Sequence, residues 1–420
     1  MDPNDRAFLT RLFDAAVAAA DPYRALQKVL PSKPMGRTIV IGAGKGAAQM
    51  AAAFERLWHG PLDGVIVTRY GYGATCKHVR VLEASHPVPD LAGLDASAQL
   101  MSAVRDLAED DLVVALVCGG GSALLPAPAG NLTLEDEIAL NKALLASGAP
   151  ISVMNAIRKQ FSRIKGGRLA AAAHPAKVVS LVVSDVPGDD PAQVASGPTV
   201  PDAVRVEDAR SLIAAHRIDL SDRLLDHLAH AEDPPHPTDA VFANYEVHVI
   251  ASAALSLQAA KEAAGAEGVP AVILSDAIEG EARDVGQVHA AIAAQVRQNA
   301  QPFAPPVVIL SGGETTVTIR SDGGRGGRNS EFLLAAALGL DGTTGITALA
   351  ADTDGIDGSE TNAGAFADGT SANRMRAAGV DPLAAFTGHD AWGAFHAVGD
   401  LFEPGPTGTN VNDFRAFLVR

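Results

Sequence analysis

Ile39-Val-Ile-Gly-Ala-Gly-Lys-Gly46 runs from an apolar segment into a glycine turn that carries a lysine. A strand ending in Gly42, Gly44 and Gly46 and opening a helix turns backbone N–H groups and the helix dipole toward an anion. It is not a Walker A loop, which needs glycine five residues before Gly44, where Ile39 stands, and Ser or Thr after the lysine, where Gly46 stands. A dinucleotide fingerprint also fits poorly, because the next apolar run ends in Thr68-Arg69 without an acid for a ribose diol. The plain alternative is a tight turn with a solvated lysine. Val117-Cys-Gly-Gly-Gly-Ser-Ala-Leu124 repeats the pattern. Gly119, Gly120, Gly121 and Ser122 form a nest of donors suited to phosphate or carboxylate, or simply a tight turn. The hydrolase elbow is excluded because Leu124, not glycine, lies two residues after Ser122.

Three further stretches join these two. Between Asn155 and Arg168 the spacing predicts a helix with Asn155, Arg158, Ser162 and Lys165 on one face, beside a stripe of Met154, Ile157, Phe161 and Ile164. Its five basic residues without an acid read as an anion-facing surface. Val182-Val-Ser-Asp-Val-Pro-Gly-Asp-Asp190 ends an apolar run in carboxylates on a Pro-Gly turn. Asp185 or Asp189 is suited there to Mg²⁺ or to a hydroxyl proton, with turn-forming aspartate as the alternative. Leu310-Ser-Gly-Gly-Glu-Thr-Thr316 and Gly323-Gly-Arg-Gly-Gly-Arg-Asn-Ser-Glu331 flank an expected hairpin, and the second leads into a helix. Arg325 and Arg328 at that N-terminus oppose the helix dipole unless an anion is bound. Asp352-Thr-Asp-Gly-Ile-Asp-Gly358 fails as an EF-hand, having Ile356 and Asp357 at the fifth and sixth positions.

Continuous apolar runs interleaved with helical patterns must position these turns. Arg37–Gly42, Gly64–Thr68, Val79–Glu83, Leu112–Val117 and Val178–Ser184 read as parallel strands covered on both faces. The fold class is therefore α/β, with a larger doubly wound, Rossmann-like parallel sheet and a smaller mixed-sheet α/β domain. The first thirty residues read as an amphipathic helix ending near Pro31, and Ile151–Ala173 as another. The proline- and charge-rich Ala229–Asp239 places a boundary near 235, giving domains 1–235 and 236–420. Beyond it, strands are expected at 247–251, 271–275, 307–310, 315–319 and 345–350.

At 420 residues with 47% hydrophobic and 5% aromatic content, the chain suits a two- or three-domain α/β protein. Its net charge of −16 disfavours nucleic acid and anionic membranes, so an anion site must be built locally. Two cysteines make no disulfide framework, and neither a signal peptide nor an 18-residue apolar span occurs, so a cytoplasmic protein is expected.

In order along the chain, IGAGKGAAQM, SHPVPD, CGGGSALL, NAIRKQFSRIKGGRLA, SDVPGDDPAQVASGPTVPD, LSGGETTVTI, GGRNSE, TDGIDG and PTGTNVND resemble the type II glycerate kinases, with an N-terminal kinase domain and a C-terminal MOFRL domain. Ser85 and Gln160 depart from the glycine and histidine expected at those positions. The resemblance implies transfer of the ATP γ-phosphoryl group to the 2-hydroxyl of D-glycerate, giving 2-phosphoglycerate, with Mg²⁺ and a site in an interdomain cleft. It makes Lys45 the principal catalytic cation, Arg328 a ligand of substrate or transferring group, and Asp189 the candidate for the hydroxyl, with Asp185 or Asp189 on the metal. Ser122, Arg158, Lys165 and Arg325 would bind substrate. Gly42, Gly44, Gly119, Gly120, Gly121, Gly312, Gly313 and Glu314 would line the nucleotide. The alternatives are an NAD(P)H-dependent hydroxypyruvate reductase, with Arg69 at a 2′-phosphate, and a nucleotide-binding sensor. A homodimer is one expectation for the assembly.

Overall fold

The computed structural model describes residues 1–186, 188–319 and 324–420. Pro187 of the Pro-Gly turn and Gly323 before the arginines lie outside the described residues. Two compact units emerge, one of Pro22–Ile250 and one of Met1–Asp21 with Ala251–Arg420. These units divide at Ile250, whereas the sequence suggests a domain boundary near 235, and residues 1–21 group with the second unit.

In the Pro22–Ile250 unit the strands are β1 Thr38–Ala43, β2 Asp63–Arg69, β3 Val79–Ala84, β4 Leu112–Cys118, β5 Lys177–Val183 and β6 Tyr245–Ala251, in the order β3-β2-β1-β4-β5-β6. All pairings among β1 to β5 are parallel. β1 and β4 are buried along their whole length, as their apolar sequences require of a sheet covered on both faces. The order reverses between β1 and β4, and in an open parallel sheet that reversal leaves a crevice beyond the carboxyl ends of the two strands. Residues 247–251, expected in the second domain, instead extend this sheet as part of β6.

The expected Ile151–Ala173 helix is broken. Helix Ile151–Arg158 gives way to a short 3₁₀ turn, Ser162 is extended, and Gly166 and Gly167 adopt left-handed φ of 64° and 77° before helix Arg168–Ala172. A continuous helix fails because the polar groups of this stretch find buried partners. Lys159 pairs with Asp202, and Lys165 Nζ lies 2.7 Å from both Glu137 Oε1 and the Leu125 carbonyl.

The second unit holds β7 Ala271–Ile273, β9 Val307–Gly313, β11 Ile346–Asp352, β12 Gly364–Asp368, β13 Leu401–Phe402 and β14 Asp413–Val419 in a mixed sheet, order β13-β12-β11-β14-β9-β7. A separate parallel pair joins β8 Gly280–Glu281 to β10 Thr315–Thr316. The expected hairpin is thus corrected: β9 pairs with β14 and β7, while only two residues of 315–319 form a strand. The first thirty residues are two helices, Pro3–Ala19 and Pro22–Gln27. The former is started by Pro3 and by the Asp2 side chain, which accepts from Asn4 N. Phe8, Leu9, Leu12, Phe13 and Ala16 recur at helical spacing and are buried with Leu257, Ala260 and Ala264 of the helix Ala253–Ala266.

His289 is buried in this unit, with ring nitrogens 2.8 Å from the Val285 carbonyl and from Ser311 Oγ. Burial lowers its pKa to about 4. The unfolded chain takes up the proton near pH 6.5 and the folded unit does not, so stability present above pH 6.5 is lost as pH falls toward 4. Between pH 7 and 5 this amounts to about 2 kcal/mol, at ~1.4 kcal/mol per pH unit below the unfolded value. Urea denaturation at both pH values should show a smaller difference for His289→Gln than for wild type. An unchanged difference would exclude His289 as the source.

Candidate functional site

The turn after β1 is held from both neighbouring strands. Gly44 N–H donates to Val67 O at 3.2 Å, Lys45 N–H to Gly119 O at 2.9 Å, and Gly46 N–H to Cys118 Sγ at 3.1 Å. Thr68 Oγ1 donates to the Lys45 carbonyl at 3.0 Å. Gly44 has φ 136°, and a Cβ there would lie 2.4 Å from both the carbonyl oxygen and Sγ of Cys118, so the turn demands glycine. The expectation that these N–H groups face an anion is corrected, since Gly44, Lys45 and Gly46 spend theirs inside the fold. What remains is the Lys45 side chain. Among the described residues its ammonium has no hydrogen-bond or ion-pair partner. Cys118 offers no nucleophile, because burial pushes its thiol up to about 12.

The Gly119–Ser122 turn follows β4, across the order reversal from Lys45. Gly120 is left-handed and opens the four-residue helix Gly121–Leu124, whose first N–H groups have no preceding turn to bond. Asp185, on the loop after β5, occupies the space a side chain at 119 would take: a Cβ there would meet its Oδ2 at 1.8 Å. A Cβ on Gly120 would lie 2.9 Å from Lys45 Cγ and 3.3 Å from His86 Nε2. Lys45, the nest, Asp185 and His86 therefore converge beyond the carboxyl ends of β1 and β4. His86 was not singled out from sequence, although SHPVPD contains it. A histidine between loop residues shows no spacing that marks it.

Ser122 continues this cluster. Its Oγ lies 2.7 Å from Ser196 Oγ, which donates to Asn155 Oδ1 at 3.0 Å. Arg158 reaches the same Asn155 oxygen at 2.9 Å and Asn141 at 2.7 Å. Ala195 and Ser196 are left-handed at φ 54° and 59°, a strained pair packed against Gly121. Ser122 and Arg158 are thus brought together, whereas Lys165 is not. Its ammonium serves Glu137 and the Leu125 carbonyl in the interior. The anion-facing basic surface is corrected accordingly: Lys159 and Lys165 are buried and paired, and Arg168 Nη1 donates to the Lys159 and Lys165 carbonyls. Asp189 sits at φ 54°, with its N–H on the Val186 carbonyl, and no described hydrogen bond or ion pair ties it to Lys45 or the nest.

In the second unit Arg328 opens the helix Arg328–Gly339. Its Nε donates to Asp413 Oδ1 at 2.6 Å, Nη1 to Glu314 Oε1 at 3.1 Å and Nη2 to Asp352 Oδ2 at 2.6 Å. Burial works against the charge, but Asp413, Asp352 and Glu314 outweigh it and raise the pKa above the usual arginine value. Buried Asp357 accepts from Asn329 N and Ser330 N at 2.9 and 2.8 Å, compensating the helix dipole. The anion inferred at this terminus is therefore supplied by the protein itself, and three of the five Arg328 N–H donors are already used. Arg325 is exposed, its guanidinium 3.9 Å from the centre of the Trp392 ring. Gly312 and Gly313 are buried at the end of β9, and Gly312 N–H donates to Ser275 O at 2.8 Å, which corrects its reading as a free donor. Asp413, the last residue of PTGTNVND, and Arg415 on the same strand carry no spacing in the sequence that marks them as part of the Arg328 cluster.

Residues 8–229 match a family described as a domain of unknown function, DUF4147, and residues 307–413 match the MOFRL family. The chain is 38% identical over 406 residues to a D-glycerate 2-kinase of Thermotoga maritima, covering 96% of each chain. A protein of Agrobacterium vitis, provisionally named a hydroxypyruvate reductase, is 50% identical across 100% of this chain and 95% of its own. The crystal structure of a glycerate kinase from Thermotoga maritima matches with a TM-score of 0.91 at 35% identity, covering 100% of both chains.

Proposed function

We propose that this chain, which belongs to the glycerate kinase family built from DUF4147 and MOFRL domains, transfers the γ-phosphoryl group of ATP to the 2-hydroxyl of D-glycerate, giving 2-phosphoglycerate and ADP. The observation that supports it most is the Lys45 ammonium, without a partner among the described residues, beside a glycine nest at the reversal of strand order. Phosphoryl transfer needs positioned cations and N–H donors more than covalent chemistry. Lys45 and the Gly119–Ser122 nest would hold the phosphates. Arg328, with two N–H donors left over, is proposed to bind the substrate or the transferring group. Mg²⁺ brought by the nucleotide would neutralise phosphate charge. Such an ion keeps several waters and needs one or two carboxylates. The described residues contain no cluster of three or more metal-binding side chains, and Asp185 beside the nest fits that smaller demand.

A dinucleotide reading finds less support, because the turn after β1 has spent the N–H groups of Gly44, Lys45 and Gly46 that a pyrophosphate would use. Purified protein should form ADP only when D-glycerate and Mg-ATP are both present. Enolase should consume the product without a mutase, which marks it as the 2-phosphate. Oxidation of NADPH with hydroxypyruvate, without any glycerate-dependent ADP, would overturn the reading.

A further inference from the structure

We propose that His86 accepts the proton of the substrate hydroxyl during phosphoryl transfer, an inference that rests on the kinase reading. His86 lies two residues beyond β3, on the same carboxyl edge of the parallel sheet as Lys45 and the nest. A single point fixes the three together: a Cβ on Gly120 would lie 2.9 Å from Lys45 Cγ, 3.2 Å from Lys45 Cε and 3.3 Å from His86 Nε2. Nε2 is therefore turned toward the backbone that would hold the phosphate, alongside the lysine that would neutralise it. Gly120, left-handed and without a side chain, keeps that space clear.

The charged groups around the ring come from several elements. Lys45 follows β1 and Arg69 ends β2; Asp185, after β5, lies against neighbouring Gly119. On the loop of His86 itself, Asp90 accepts from the Tyr70 hydroxyl at 2.8 Å. Burial first, then Lys45 and Arg69, lowers the imidazole pKa to about 4, so the ring is neutral at physiological pH and keeps a lone pair. Of these, Lys45 is the cation beside the nest that nucleotide phosphates would neutralise. Binding of ATP thus removes the Lys45 part of the shift and raises the basicity of His86 when the acceptor is in place.

In the step, a lone pair of the glycerate 2-oxygen forms the new bond to the γ-phosphorus. The bond from that phosphorus to the β,γ-bridging oxygen breaks, leaving its electron pair on ADP. The O–H pair stays on the substrate oxygen, and its proton passes to Nε2, with Nδ1 protonated throughout. The imidazolium then returns the proton to solvent.

His86→Gln keeps a polar group near the Nε2 position but cannot take a proton, and His86→Asn shortens it. Both should bind ATP with an affinity within about threefold of wild type, which also reports an intact fold. Both should lose kcat by roughly 100-fold or more, the ordinary range for one acid–base group. The His86 component of the acid limb, read as the difference between the two kcat–pH profiles because the titration of ATP is common to both enzymes, should be absent in His86→Gln. Wild-type-like kcat with that component retained overturns the proposal, as does a larger loss in Asp189→Asn with that component surviving in His86→Gln. Absence of glycerate-dependent ADP formation in wild type is a different failure: it removes the kinase reading, and this role with it.

Discussion

Lys45→Ala is expected to lower kcat by about two or more orders of magnitude while leaving the fold of Pro22–Ile250 intact. The two halves of this expectation have separate physical origins. What fixes the turn is backbone: Lys45 N–H on Gly119 O and the Lys45 carbonyl under Thr68 Oγ1, and alanine preserves both. The ammonium touches no carboxylate or carbonyl among the described residues, so removing it leaves no buried group unsatisfied. Its loss is felt when charge develops on a transferring phosphoryl group, where one preorganised donor is worth about 10²–10³ in rate. Initial rates of ADP formation at saturating D-glycerate, beside thermal unfolding, measure both halves. A variant with wild-type kcat and an unchanged melting curve would remove Lys45 from the mechanism. A rise in KM alone would reduce it to ground-state binding.

The parallel sheet was legible because β1, β2, β4 and β5 are buried along nearly their whole length and so read as apolar runs, whereas the edge strand β3 exposes Arg80 and is only partly covered. The mixed sheet was only half legible. β9 and β11 show such runs, but β14 interrupts its own with Asp413 and Arg415, which pair with each other inside the core. A charge pair within a strand reads as a surface, and only the fold reveals that it is not one. The same blindness turned Lys159 and Lys165 into an expected contact face, since Asp202 and Glu137 lie 43 and 28 residues away in the chain. For the site, a lysine among glycines was visible because the combination is unusual. His86 was not, because its role depends on Gly120 approaching from another strand. The amphipathic helix expected to run to Pro31 is instead two helices, and the first, Pro3–Ala19, packs in the unit with Ala251–Arg420, as helical periodicity says which face is buried and not against what.

Asp413→Asn is expected to destabilise the unit of Met1–Asp21 and Ala251–Arg420 by about 3–5 kcal/mol, the usual consequence of leaving a buried charge without its partner. Asp413 is fully buried and accepts from Arg328 Nε at 2.6 Å, Asn329 Nδ2 at 2.8 Å and Thr315 N at 3.2 Å, and from Arg415. Burial alone would raise its carboxyl pKa, but Arg415 and Arg328 outweigh it and hold it below the ordinary value. Arg328 keeps Asp352 and Glu314 if Asp413 is neutralised, so the damage falls on Arg415. Arg415 is wholly buried, has no other ion-pair partner among the described residues, and would be left with uncharged partners alone: the Gly312 carbonyl at 3.2 Å, Thr315 Oγ1 at 3.1 Å, the face of Phe332 and the amide oxygen of the substituted side chain. Removing the Arg415 charge as well should therefore rescue the unit. Asp413→Asn with Arg415→Met removes both charges at similar volume, and buried ion pairs replaced by apolar groups are often neutral or better. Denaturant unfolding, fitted with separate transitions for the two units where they separate, should show the double variant more stable than Asp413→Asn alone. If the single change costs less than about 1 kcal/mol, or the double variant is the weaker of the two, the pair is not held by charge, and the stability of this strand must come from its apolar neighbours Phe414, Phe417 and Leu418.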